Sequence, residues 1–231
     1  MKFTMSTLVL MTASGARGQQ PYHHGDLRNA LVQAAVGLAR EGGPAAIVLR
    51  EVARRVGVSP TAAYRHFNAL PELIEAVADV SGAALARSME AELGSCPQTD
   101  DPRQAAWDRM RAVGRGYVHF ALAEPGLFTT TASRERRSAG GVGSARGGGG
   151  GERGASGLSP WDLLEQALDD MLSVGMLAAE DREAAAIAAW AAVHGLSYLL
   201  LDKLAALPSA EREAVIDATL DLVGRGLLVR D

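Results

Sequence analysis

The stretch Val48 to Phe67, V-L-R-E-V-A-R-R-V-G-V-S-P-T-A-A-Y-R-H-F, leaves the chain the fewest choices. Leu49, Val52, Ala53 and Val56 recur at helical spacing and make one apolar face, so the spacing predicts a helix over about Leu49 to Val56. Gly57 follows, and a left-handed stop costs a glycine little because it has no Cβ. Ser59 offers a side-chain oxygen as N-cap. Pro60 then stands at the first helical position, where its missing N–H is not needed. A second helix over about Pro60 to Phe67 buries Ala63 and Phe67, four apart. It leaves Thr61, Ala62 and Arg65 on the other face, with Tyr64 and His66 at the margins.

Two short helices across a glycine-containing turn, with a small, polar and basic outer face, suit a helix-turn-helix. The second helix of such a motif enters a DNA major groove. With its flanks, Y-H-H-G-D-L-R-N-A-L before it and N-A-L-P-E-L-I-E-A-V after it, the stretch resembles the DNA-binding domain of the tetracycline-repressor (TetR) family. The resemblance covers about Tyr22 to Val80 and keeps G-V-S-x-x-x-x-Y-R-H-F at the family's spacing. It implies a three-helix DNA-binding head over 21–80 and a helical regulatory and dimerisation body over 81–231, an all-α fold.

On this reading Ser59 and Pro60 open the recognition helix, and Thr61 and Ala62 are small enough to let it sit deep and touch a thymine methyl. Arg65 can offer a bidentate fork to a guanine. The resemblance places Arg50 where the family's side chain reaches a base edge or phosphate, and Tyr64 and His66 where it holds phosphates. Phosphate contacts fix register without carrying sequence information directly. Two positions depart from the family. Val48 stands where a Ser or Thr normally caps the helix and pairs with the Glu three residues on, although Glu51 is kept. Leu70 replaces a phosphate-contacting Lys at the start of the fourth helix, predicted over about Ala69 to Leu93, where Asn68 remains as a possible cap. The first helix is expected over about Leu27 to Arg40, capped by Asp26, with Leu27, Leu31, Ala34 and Leu38 as its core stripe.

Net charge does not announce a nucleic-acid partner, being −4 over 231 residues. Its distribution is more telling. Between Arg17 and Phe67 seven arginines face three acids, Asp26, Glu41 and Glu51, so the head is basic and the remainder acidic. The one cysteine, Cys96, excludes an internal disulfide and suits a reducing cytoplasm. His23 and His24 have no third ligand nearby, so no metal site is expected, nor any cofactor. Residues 1–20 read as a flexible leader whose apolar run, Leu8–Met11, is too short for a signal peptide. Ala184 to Leu201 holds no charge over eighteen residues, but its alanines and the internal His194, Gly195 and Ser197 favour a buried helix over a membrane span.

The body reads as helices over about Arg103–Ala123, Leu127–Ala132 and from Pro160 to about Val174, the last with a Ser159 cap. A glycine-rich disordered loop is expected at 138–158, since ten of the eighteen residues from Gly140 to Gly157 are glycine. Two long patterns close the chain: Ile187, Trp190, His194, Tyr198, Leu201, and Ile216, Leu220, Val223, Leu227. The short turn at Leu207-Pro208 makes them antiparallel neighbours. Two such helices from each of two subunits would build a four-helix interface, with Trp190, Tyr198, Leu201, Ile216, Leu220 and Val223 at the contact. W-x-x-x-H-G at Trp190–Gly195 is similar to the signature of one TetR C-terminal class, named for it. Trp107, Tyr117, Phe120, Trp161, Trp190 and His194 are candidates to line a pocket for a small apolar ligand.

No nucleophile elbow, phosphate loop or paired acid–base constellation is present, so an enzyme is not expected. The expectation is a cytoplasmic, homodimeric, sequence-specific regulator of transcription, most simply a ligand-responsive repressor on a palindromic operator in double-stranded DNA. The alternative is a ligand-independent architectural DNA-binding or partner-binding helical protein.

Overall fold

The computed structural model describes residues 24–137 and 153–228, with side chains from 27 to 133 and from 153 onward. The leader and most of the glycine-rich loop lie outside them. All regular structure among the described residues is helical. Nine α-helices follow in order: α1 (His24–Gly42), α2 (Leu49–Val56), α3 (Pro60–Tyr64), α4 (Leu70–Gly94), α5 (Pro102–Ala123), α6 (Pro125–Arg137), α7 (Pro160–Ser173), α8 (Arg182–Leu201) and α9 (Ser209–Leu227). Short 3₁₀ turns at Pro44–Ala46 and Ala179–Asp181 link α1 to α2 and α7 to α8.

The head is α1 to α3 with the first half of α4. Leu31, Ala35, Leu38, Val52, Ala63, Phe67, Leu73 and Val77 are buried together in one core. The α1 stripe is wider than expected: Val32, Val36 and Ala39 are buried too, while Leu27 and Ala34 are only partly so. Asp26 lies inside α1 and so is not its cap. The fourth helix takes Ala69, not Asn68, as N-cap. Glu72 Oε2 instead accepts from the Asn68 backbone N–H at 2.9 Å.

At 25 residues, α4 runs about 37 Å. It leaves the head core at Val77 and enters the body beside α5 and α6. The body packs α5 centrally, in contact with α4, α6, α7, α8 and α9. The short helix expected near Leu127 is longer, Pro125–Arg137. Its start docks on the head so closely that a Cβ at Gly126 would collide with the Ala39 carbonyl oxygen. Ser81, fully buried on α4, donates to the Leu127 carbonyl at 3.0 Å and closes that corner.

Ser159 caps α7, as its sequence foretold, and does so in a reciprocal box with Asp162, at 3.1 and 2.9 Å. The described end of the glycine-rich loop, 153–158, is held in place, unlike the disorder expected for it. Glu90 on α4 accepts the backbone N–H groups of Ala155 and Ser156, at 2.8 and 2.9 Å, and the Ser156 hydroxyl. Despite partial burial, which raises it, those hydrogen bonds hold the Glu90 carboxyl below its ordinary pKa. The apolar window at 179–201 passes a length-and-composition test for a membrane span, but α8 packs against α5, α7 and α9 as one member of the bundle.

Candidate nucleic-acid interface and body cavity

The helix-turn-helix forms as its punctuation dictates. Gly57 takes φ +78°, and Val58 N–H reaches back to the Ala53 carbonyl at 3.0 Å, a left-handed helix stop. Ser59 Oγ accepts the Ala62 N–H at 3.2 Å, so the predicted cap exists and its hydroxyl hydrogen stays available. Helix α3 ends at Tyr64, three residues earlier than its pattern suggested. Arg65 and His66 continue as a tight turn, which still delivers Phe67 to the core with no exposed surface. Full burial of such a ring contributes about 1.5–3 kcal/mol and fixes the depth of α3.

The two departures have visible consequences. Val48 makes no side-chain cap bond to α2 and is itself 47% exposed. Released from a capping box, Glu51 turns to the other end of its helix. Its carboxylate receives Arg54 Nε and Nη2 at 2.8 and 2.7 Å and Arg55 Nε at 3.3 Å. Arg55 also donates two bonds to Glu41 on α1, at 2.8 and 2.6 Å. The Arg54 hydrogen bond, seconded by Arg55, holds the Glu51 carboxyl down at about 2. The Arg55–Glu41 hydrogen bonds likewise raise the pKa of Arg55 and lower that of Glu41.

This sorting of charge defines the candidate interface. Arg54 and Arg55 are tied to carboxylates, Arg40 to Glu124, and Arg28 lies over the Phe67 ring, 4.8 Å from its centroid. Arg50 and Arg65 take part in no ion pair among the described residues, and both are exposed. They stand with Thr61, Pro60 and the 54%-exposed Tyr64 around α3, with Ala62 and His66 half-buried beside them. The simple count of arginines therefore overstates the cations free to meet a polyanion. The Glu51 pairs are written in the motif as i,i+3 and i,i+4 spacing, whereas the Glu41 pair is not, because Glu41 belongs to α1.

The body holds an apolar cavity between α4, α5, α7, α8 and α9, with about 30 Å³ free at its centre. Of the aromatic residues singled out in the sequence, Trp107, Tyr117 and Trp190 line it, whereas Phe120, Trp161 and His194 do not. Trp161 and His194 stand one shell back. Trp161 packs on Trp190 with ring centroids 5.4 Å apart, and the Tyr117 hydroxyl meets His194 Nδ1 at 2.8 Å. The sequence reading missed Met89, Met110, Gly114 and Leu220 on the cavity wall. A signal was there: Trp107, Met110, Gly114 and Tyr117 step by three, four and three along α5.

A second cluster joins three helices of the body. Arg115 on α5 pairs with Asp217 and, at 2.9 Å, with Glu213, both on α9. His119, one turn on, lies 2.8 Å from Glu92 of α4 and 3.2 Å from Glu213. Among the described residues no three or more His, Cys, Asp or Glu side chains are arranged to hold a metal ion.

The residues expected at a dimer contact mostly face inward. Ile216 and Leu220 are buried in their own subunit's core, Trp190 and Val223 line the cavity, and Tyr198 packs on Phe128 and His194. Of the six residues only Ile216 and Leu220 are fully buried; Trp190, Tyr198, Leu201 and Val223 keep partial exposure. The large apolar side chains left exposed on α8 and α9 are Ile187, Leu199 and Leu222.

Residues 31–77 match the family model described as bacterial regulatory proteins, tetR family. Residues 110–223 match the one described as tetracyclin repressor-like, C-terminal domain. Together the two cover more than two thirds of the chain. Among solved structures, a protein with unknown function from Rhodococcus sp. RHA1 is 26% identical, at a TM-score of 0.70 over 91% of this chain and 100% of that one. The TetR family transcriptional regulator PfmR from Thermus thermophilus is 19% identical, at 0.52 over 86% and 99%. The transcriptional regulator FadR from Bacillus subtilis, in complex with stearoyl-CoA, is 14% identical, at 0.60 over 86% and 98%. The chain belongs to the tetR family of bacterial regulatory proteins, DNA-binding regulators of transcription.

Proposed function

We propose that the chain works in the cytoplasm as a homodimeric repressor that a small molecule releases from a palindromic operator. The observation that carries this reading is the selection of charge around α3. Among the described residues Arg50 and Arg65 are exposed and in no ion pair and Tyr64 is exposed, while the other arginines of the head are occupied. A helix presented in this way reads bases through Arg65, Thr61 and Ala62 and takes its register from Arg50, Tyr64, His66 and the opening turn at Ser59-Pro60.

Release is geometric. Met89 lines the cavity and belongs to α4, whose other end carries Leu73 and Val77 in the head core. A ligand that favours one α4 position over another changes the spacing of the two recognition helices in a dimer, and so their fit to two half-sites. The dimer face is formed by α8 and α9, where Ile187, Leu199 and Leu222 are exposed beside the small residues Ala188, Ala191 and Gly195. Trp190 and His194 both pack on Tyr117, which supports placing the body in the class named for its Trp, His and Gly.

The test is a titration of the full chain on its own upstream intergenic DNA against scrambled DNA of equal length, at fixed physiological salt. A preference of at least about a thousandfold is expected. Equal, weak binding to the upstream and scrambled DNA sinks the reading for that operator and favours an architectural role.

A further inference from the structure

We propose that the body cavity selects uncharged apolar molecules and rejects anions, an inference that rests on reading the body as a ligand sensor. Its walls are apolar, with Met89, Trp107, Met110 and Trp190 among them. Arg111 is the one charged residue among the described ones that line it. That guanidinium is already paired in charge from α9, with Nε 2.8 Å from Asp221 Oδ1 and Nη2 3.3 Å from Asp217 Oδ1, an oxygen it shares with Arg115, although Arg111 Nε and Asp221 Oδ1 are not aligned for a hydrogen bond. An anion approaching Arg111 meets two carboxylates that already hold it, and a cation meets the guanidinium itself. The Tyr117 hydroxyl is engaged with His194. A charged group entering this space loses its water and gains no counter-charge, whereas an apolar body loses only its contact with water.

Size makes the choice sharper. The free space, about 30 Å³, is comparable with one water molecule, so a ligand has to make its own room. Met89 and Met110 supply it. An unbranched thioether side chain has several rotatable bonds and repacks without breaking a polar contact. Opening by moving Arg111 would instead separate two ion pairs. The adaptable part of the wall is therefore its apolar part.

The three tryptophans provide the readout, since Trp107 and Trp190 line the cavity and Trp161 packs on Trp190. The full chain is titrated with N-phenyl-1-naphthylamine and, separately, with 8-anilino-1-naphthalenesulfonate, which share an aromatic frame and differ by a sulfonate. The neutral probe is expected to quench tryptophan emission at one site per chain and to bind about tenfold tighter or more than the anion. Ala192→Leu, at a half-buried position on the wall, should weaken the neutral probe by about tenfold. The double variant D217N/D221N leaves Arg111 unmatched and should close most of the gap between the two probes. Equal binding of both probes by the natural chain overturns the proposal. So does absence of a saturable neutral site, or a neutral site indifferent to Ala192→Leu. The DNA titration is run beside it: retained operator preference with failed probe selectivity sinks this inference alone, while lost preference sinks the regulator reading.

Discussion

Arg40, at the end of the first helix, donates its Nε to both carboxylate oxygens of Glu124, 3.1 and 3.0 Å away, and so ties the DNA-binding head to the turn that starts α6. The pair is open to solvent, and exposed pairs contribute little. Glu124→Gln is expected to lower unfolding stability by only about 0.5 kcal/mol. The neighbouring contact is stronger in kind, because Gly126 abuts backbone, not a mobile side chain. Gly126→Ala should cost about 2 kcal/mol or more, since a carbonyl of α1 has to retreat. Urea midpoints of the two variants measure this. A larger loss for Glu124→Gln than for Gly126→Ala would mean that charge, not close packing, joins the two parts.

The Glu51 cluster predicts a pH dependence of defined sign. Arg54 and Arg55 hold this carboxyl at about 2 in the folded chain, against an ordinary value of 4.5. Its contribution is therefore complete above about pH 4.5 and is lost as pH falls toward 2. Glu51→Gln should be less stable than the natural chain at pH 7, and the difference should shrink steadily below pH 4.5. A difference that is constant from pH 7 to pH 3 would show that the substitution acts through something other than this charge.

Much of this was legible in the sequence because the information is local. Gly57, Ser59 and Pro60 specify the turn and the start of α3 by backbone preference and a single hydrogen bond, and Ser159 with Asp162 does the same for α7. What was not legible depends on which neighbour a side chain finds. The stripe Ile216–Leu220 is periodic whether it packs inside a subunit or between two, and only the bundle shows that it lies inside. Arg55 is one more cation of the basic head until Glu41 arrives from another helix, whereas the Arg54 partner, Glu51, stands three residues before it on the same helix. The end of α3 was misplaced because Ala63 and Phe67 keep helical spacing even though the backbone tightens after Tyr64.

The same sorting makes DNA binding selective about which arginine is lost. Arg65→Ala is expected to cost about 1–3 kcal/mol on the preferred operator and to relax the preference at one base position. Arg50→Ala should weaken binding more evenly and reduce the salt dependence by about one phosphate contact. Arg54→Ala, whose side chain is committed to Glu51, should leave the salt slope unchanged. Titrations at several salt concentrations check all three together. An Arg54→Ala effect as large as that of Arg50→Ala would mean that Glu51 releases its partners to DNA.

The dimer face can be separated from the core by two substitutions of the same kind. Leu199 is 49% exposed on α8, and Ile216 on α9 has no exposed surface. A carboxylate at Leu199 is tolerated in the monomer, where it stays in water. In a dimer built on this face it is buried against a second copy without a partner. Leu199→Asp is therefore expected to keep its helicity and to weaken association by about a hundredfold or more, giving monomers by sedimentation velocity at micromolar concentration. Ile216→Asp should unfold the chain outright, because its carboxylate is trapped in the core of its own subunit. Operator affinity should fall with Leu199→Asp even though α3 is untouched, since each half-site is then bound separately. A folded Leu199→Asp protein that remains dimeric would move the interface off α8.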